Sequence, residues 1–446
     1  MEKAAKAYGG YGDVKKLTVK ESFNLGKGWH LMTFAILAML VTNAGVNDGL
    51  NVILPVIAKS AGMNYELCLS MGTVAGFVGV AMMFFIAKLR DRFGGRVMSA
   101  VLFIIFGFTF NFLFLRATNI IMYGLSQCIM VSCGQGCFYL CTGPMQSDWF
   151  PKKRGVVNGI STIGANIGTA VLVPIMIVLL KAGDYRISIS VFGAAAIGLA
   201  VYSFFTLRDN PIDAGMYPDN VTREIFENEY SDCLNINQYV SDWTVPKMLK
   251  CKEVWLASAV PGFITLGLLG IITQFVQRNT ALGLSVDMAV SAMTAAGLIG
   301  ILGSYIIGFI DTKLGTKKAC MIYCAIFALG IAFNLLTVVW FPFVYVSIAI
   351  VGFSLGGSTN MSLSFPASIF GMLDYPKVNG VIFPINYCIG CLNFVVNAAI
   401  MKITGSLTGA YIVYLCLFLI NILIVATMEE GKWDKMKHPE LMEINK

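Results

Sequence analysis

"AKLRDRFGGR", residues 87 to 96, closes a long apolar run with four basic side chains, one carboxylate (Asp91) and a glycine pair. Another apolar run closes with "GFIDTKLGTK", residues 308 to 317, which lies 221 positions further on. "WFPKKRGVVNG" (149 to 159) and "DYPKVNG" (374 to 380) also correspond, with Pro151 and Pro376 at 225 positions apart. Two correspondences at nearly one offset indicate an internal duplication, so the second half should repeat the fold of the first.

The runs between these turns define the solvent. Of 446 residues 57% are hydrophobic and 13% charged, about half the roughly 25% charge of a soluble domain. Each run is near the ~20 residues that carry a helix across the hydrocarbon. Twelve are expected, at about 31–55, 67–87, 97–115, 120–142, 156–180, 187–207, 254–276, 288–310, 319–340, 343–365, 379–401 and 408–427. Backbone in lipid must satisfy its own hydrogen bonds, so these spans are helices. The expected fold is an all-α integral membrane protein with two six-helix bundles, residues 29–207 and 253–427, related by a pseudo-two-fold axis. A polar N-terminal segment (1–28), a linker (208–252) with eight acidic and five basic residues, and a tail (428–446) complete the chain. The first segment has no apolar core and cleavage site of the signal-peptide kind, so the first helix should stay attached.

Orientation follows from the Lys and Arg of alternate loops. Of 32 such residues, 26 fall on the side of the N-terminus and linker; Lys59, Arg116, Lys181, Arg186, Arg278 and Lys402 fall on the other. Both termini are therefore expected in the cytoplasm of a cell whose plasma membrane the chain spans. The net charge of +7 reflects topology and no nucleic-acid surface. Cys133, Cys137 and Cys141 recur on one helical face, but no His or carboxylate accompanies them, so packing is expected and no metal.

The motif at 87–96 and its echo resemble the signature of the major facilitator superfamily of secondary transporters. The Phe-Pro-basic-Arg-Gly run at 150–155 and "RDNPIDAGMYPDN" (208–220) resemble its organic-anion branches, the oxalate/formate antiporter and monocarboxylate groups. The resemblance implies that Asp91, with Arg92 and Arg96, latches the cytoplasmic side against the positive N-terminal end of a neighbouring helix, the eleventh in the first instance. It implies a second, weaker latch at Asp311, which sits one residue earlier than Asp91 does in its motif; Ala87 also replaces the usual glycine. A cavity among helices one, two, four, five, seven, eight, ten and eleven is implied too. Relatives that carry dicarboxylates place basic residues in helices eight and eleven, and this chain has none in either span.

"TNAGVNDGLN" (42–51) places Asn43, Asn47 and Asn51 at intervals of four on helix one, with Asp48 on their flank. Gln135 and Tyr139 (helix four), Asn166 (five), Gln274 and Arg278 (seven), Asn360 (ten) and Asn386 and Asn393 (eleven) are further candidate cavity residues. Asp48 is the one carboxylate deep in a span; a charge there costs ~2.5–3.5 kcal/mol on insertion scales and marks a functional candidate. It is a candidate for carrying a proton, for binding a cation directly, or for structural hydrogen bonding. Arg278 either draws an anion into the outer mouth or snorkels to the interface. Without a P-loop, energy must come from a gradient. The expected partners are a small organic solute, a carboxylate in the first instance, a coupling proton or counter-solute, and the bilayer; a monomer without cofactor is expected. A neutral, zwitterionic or cationic solute paired with Asp48 is the alternative. His30 and His438 offer no catalytic pair, so an enzyme is not expected; a non-transporting sensor on the same scaffold remains open.

Overall fold

The computed structural model describes residues 24–150, 153–229 and 241–434. Most of the N-terminal segment, Pro151, the middle of the linker and the last part of the tail with His438 lie outside the described residues.

Among the described residues twelve helices are long and apolar enough to cross a membrane. We number them α1 (Gly26–Ser60), α2 (Tyr65–Phe93), α3 (Gly95–Phe114), α4 (Ile120–Gln146), α5 (Gly164–Lys181), α6 (Tyr185–Thr206), α7 (Lys252–Ile272), α8 (Val286–Asp311), α9 (Thr316–Leu336), α10 (Phe343–Gly371), α11 (Lys377–Thr404) and α12 (Thr408–Thr427). The helix containing α5 starts earlier, at Arg154. Two hydrophobic cores form: one gathers buried residues from Leu25 to Leu207 with Phe394 and Ala398, the other gathers Val173 and residues from Trp243 to Met428. The chain is thus two lobes. One face carries the starts of α1, α3 and α7 and the ends of α6 and α12, and is called the linker face; the opposite one is the far face.

The duplication seen in the sequence reappears as geometry. α2 ends at Gly94 (φ 83°, ψ 159°) and α8 is followed by Gly315 (φ 84°, ψ 154°), a backbone region open essentially to glycine alone. The helix after each glycine begins with unpaired N–H groups, which attract a carboxylate. Asp209, just past α6, accepts from Arg96 N at 2.8 Å; Glu430, just past α12, accepts from Lys317 N. Gly94 and Gly315, Asp209 and Glu430, and Arg96 and Lys317 are each separated by the same 221 positions. Gly94→Ala meets two penalties, the positive φ and a Cβ 2.6 Å from Asp209 Oδ2. A cost of about 1–3 kcal/mol is expected from the backbone alone. Thermal unfolding of the purified variant should therefore fall by several degrees; an unchanged midpoint would mean that the turn relaxes freely.

α10 runs on to Gly371 (φ 68°, ψ 162°), and the chain then turns into α11. The break comes six residues later than the sequence pattern suggests, because the turn is set by that glycine and the hydrophobic run ends earlier. Cys133, Cys137 and Cys141 are buried in the first lobe's core.

Candidate solute pathway and its gates

The stretch 42–51 is where α1 breaks, so its polar residues do not form one stripe. Helix Trp29–Val46 stops at Asn47 (φ −124°, ψ −91°), and helix Leu50–Ser60 resumes after Gly49. Gly45, Gly49, Asn47 and Asp48 favour this, since glycine is a weak helix former and short polar side chains compete for the backbone. A Cβ at Gly49 would lie 1.9 Å from Ala44 O, so the break requires glycine there.

From this break the side chains diverge. Asn47 Nδ2 donates to Asn43 Oδ1 at 3.0 Å. Asp48, 3% exposed, accepts from Thr169 Oγ1 of α5 at 2.9 Å. Thr169 lies on a π-helical turn, Gly168–Leu172, and α4 has another at Cys137–Thr142; such turns recur at functional sites. At Gly168 a Cβ would stand 3.4 Å from Asn43 Nδ2 and 3.7 Å from Asp48 Oδ2, so α5 passes close to both.

Asn51 turns to the second lobe. Its Nδ2 donates to Ile272 O at 2.7 Å, and Val276 N donates to its Oδ1 at 3.3 Å. Gln277 Nε2 donates to Asn51 O at 2.6 Å. These partners flank a break in the second lobe's counterpart of α1: α7 stops at Ile272 and a short helix, Phe275–Ala281, follows. Gln274 sits in that break, fully buried, and accepts from Tyr65 Oη at 3.0 Å.

A second seam joins α2 to α11. Thr73 Oγ1 donates to Cys391 O at 2.6 Å and accepts from Val395 N at 3.2 Å. Gly72 and Gly76 allow the approach, since a Cβ there would collide with Phe394 and Cys391. Lys181 and Asp287 add an exposed pair at 3.3 Å, a type worth ~0–1 kcal/mol. All of these bonds between the lobes lie in the far half. Toward the linker face, among the described residues, the rings of Tyr139 and Phe383 lie 4.7 Å apart across the interface.

Several polar candidates are partly accessible: Asn47, Gln135, Asn166 and Asn360 are half-buried, and Tyr139 is 37% exposed. Asn360 Nδ2 donates to Ser304 O at 2.9 Å, and Asn386 Oδ1 accepts from Thr265 Oγ1 at 3.3 Å. These amides and hydroxyls lie near the middle of their helices and are called the candidate wall, with Asp48 further along α1 toward the far face.

Three expectations are corrected. Arg278 is neither at the mouth nor snorkelling: it is 3% exposed, donating from Nε to Asn334 Oδ1 and from Nη1 to Thr408 Oγ1, both at 2.9 Å. Its guanidinium lies 4.9 Å from the Tyr411 ring centre. Its amide N–H donates to Gln274 O at 2.8 Å in the short helix after the α7 break, and its side-chain partners on α9 and α12 hold it inside the second lobe. Asn393, fully buried, donates to Gly390 O of its own helix at 2.8 Å and does not line the wall; Asn397 similarly ties α11 to Gly270 O and accepts from Tyr414 Oη. The two latch acids are also unlike. Among the described residues, Asp91 is exposed and its ion pair is with Arg90 at 3.2 Å, whereas Asp311 Oδ1 is buried with no hydrogen-bond partner. The one-residue offset turns the second acid about 100° around its helix, from solvent into the bundle. Arg92 stacks on Phe93, and Arg96 on Phe204 of α6.

Thr169, Tyr65, Thr73, Gln277, Asp209 and Glu430 were not singled out from sequence. Only the last pair carried a legible signal, the 221-residue offset.

Two duplicated six-helix lobes whose first helices, α1 and α7, are broken have the architecture of a secondary transporter. The profile of the Major Facilitator Superfamily matches residues 31–394. The chain belongs to that superfamily. It is 23% identical over 299 residues to YhjX of Escherichia coli (strain K12), described as an uncharacterized MFS-type transporter, with 66% of this chain and 69% of that protein covered. It is 22% identical over 300 residues to monocarboxylate transporter 12 of Rattus norvegicus, with 62% of this chain and 60% of that protein covered. The crystal structure of a mutant of the nucleoside transporter NupG shares the fold, with a TM-score of 0.65 at 12% identity over 90% of this chain and 99% of that one. The protein is thus a multi-pass membrane transporter of a small solute rather than an enzyme, and the resemblance to monocarboxylate-type branches is supported.

Proposed function

We propose that the chain moves a small organic monoanion, a carboxylate, together with a proton that Asp48 takes up and releases, across a plasma membrane whose cytoplasmic side is the linker face. The observation that carries this is the single mid-depth carboxylate, held by one neutral hydroxyl donor beside the α1 break. With a proton on Asp48 the wall presents no net negative charge to an anion, and Asn47, Gln135, Tyr139, Asn166 and Asn360 supply neutral donors. Likeness to monocarboxylate transporter 12 supports the solute class, and the Lys and Arg asymmetry supports the orientation. The far-face seams then form the closed outer gate.

One observation favours a second reading, a neutral, zwitterionic or cationic solute paired with ionised Asp48: the buried Arg278 is enclosed in the second lobe and unavailable to an anion. Uptake of labelled lactate, oxalate and a zwitterionic amino acid into proteoliposomes separates the two. A monoanion accumulated under an inward proton gradient, and released on its collapse, is the expected result. Uptake confined to the zwitterion would select the second reading, and solute binding without flux would make the protein a sensor.

A further inference from the structure

A cavity of about 440 Å³ opens on the linker face, away from the solute wall, between the start of α1 and the end of α6. Three cationic or protonatable side chains line it: Lys27, His30 and Arg208; Asp213 is the one acid on its wall. Each of the three is anchored by part of its donor set. Lys27 Nζ donates to Ala214 O at 2.7 Å, leaving two of its three N–H groups. His30 Nδ1 meets Tyr202 Oη at 3.0 Å, leaving Nε2. Arg208 Nη1 donates to Phe205 O and Leu207 O, leaving Nε and Nη2 to spare among the described residues. Trp149 Nε1 in turn holds Arg208 O at 3.1 Å, so the backbone that presents this arginine is fixed.

The surroundings identify the medium. Trp29, Phe204 and Phe205 are 42%, 44% and 70% exposed around the same helix ends, an aromatic band of the kind that sits at headgroup depth. A basic recess at that depth, with fixed cations and spare N–H donors, matches an anionic phosphate group. We propose that this cavity binds the phosphate of an anionic lipid headgroup, with Arg208 and Lys27 as its principal ligands and His30 as a third donor. Asp213 narrows the choice toward the singly charged phosphodiester, because a doubly charged monoester would suffer more from the adjacent carboxylate. This site is independent of the solute reading and survives its failure.

The test compares the full chain and the double variant Lys27→Gln/Arg208→Gln in detergent by thermal unfolding. Added short-chain phosphatidylglycerol, short-chain phosphatidylcholine and inorganic phosphate are the three probes. Phosphatidylglycerol should raise the wild-type Tm by about 3 °C through binding to the folded state, phosphatidylcholine should not, and the double variant should lose at least half of the rise. An equal rise with inorganic phosphate alone would assign the site to a free anion and overturn the lipid source. Equal rises in wild type and variant would overturn the site. Should the variant fold poorly, native mass spectrometry of wild type against Lys181→Gln, a substitution at the far face, supplies the second measurement. Retention of phosphatidylglycerol over phosphatidylcholine by both, and its displacement by millimolar phosphate, supports the proposal; equal retention of the two lipids refutes it.

Discussion

Asp48→Asn reduces gradient-driven accumulation at least tenfold while leaving solute exchange within a few-fold of the wild type. Asparagine fills nearly the same volume and can still accept from Thr169 Oγ1, now 2.9 Å from Asp48 Oδ2, so the local packing survives. What it cannot do is bind and release a proton. Exchange needs only that the loaded protein change its facing, and asparagine mimics the neutral, loaded side chain throughout. Net accumulation needs the empty protein to return without a proton, and that step is lost. The three roles open to Asp48 give three outcomes in one pair of assays. Loss of accumulation alone assigns the proton. Loss of both accumulation and exchange assigns direct pairing with a cationic group on the solute. Retention of both, with a lowered thermal midpoint, assigns a structural hydrogen bond.

The distribution of polar groups explains why so few of these residues are free to touch a solute. In a membrane helix an amide left unpaired is costly, and most asparagines settle on a neighbouring backbone. Asn393 and Asn397 do so inside the second lobe, and Asn51 does so across the interface. Those that remain half-buried with spare capacity, Asn47, Gln135, Asn166 and Asn360, sit on α1, α4, α5 and α10.

What could be read from the residues follows the same physics. The twelve spans, the duplication and the turn motifs were legible because each rests on a pattern longer than one contact: apolar length, a repeated offset, a charged turn between apolar runs. The breaks in α1 and α7 were not, since a span's mean hydropathy is blind to three residues that leave helical geometry. Once α1 breaks at Asn47, the four-residue spacing of Asn43, Asn47 and Asn51 no longer places them on one face. Arg278 was misplaced for another reason: its partners, Asn334, Thr408 and Tyr411, come from distant parts of the chain. Asp209 and Glu430 could have been found by carrying the 221-residue offset past the helix ends.

Asn51→Ala is expected to open the far face. The side chain supplies two bonds between the lobes, Nδ2 to Ile272 O and Oδ1 from Val276 N, while the Gln277 bond to its backbone carbonyl persists. At ~0.6–1.7 kcal/mol for each such bond between membrane helices, the closed state loses about 1–3 kcal/mol. That is roughly a 5- to 150-fold change in the ratio of closed to open protein. The open state loses nothing comparable, because water entering from the far face satisfies Ile272 O and Val276 N there. The Thr73 seam and the Lys181–Asp287 pair remain, so the change should be a shift in population and not unfolding. Spin labels at Lys59 and Ala281, in a background without native cysteines, should report a second, longer distance that is weak or absent in the wild type. Hydrogen exchange should rise in step over Leu50–Ser60 and Phe275–Ala281. Faster exchange at an unchanged distance would show local fraying of the broken helices, and Asn51 would then stabilise α1 and α7 without acting as a gate.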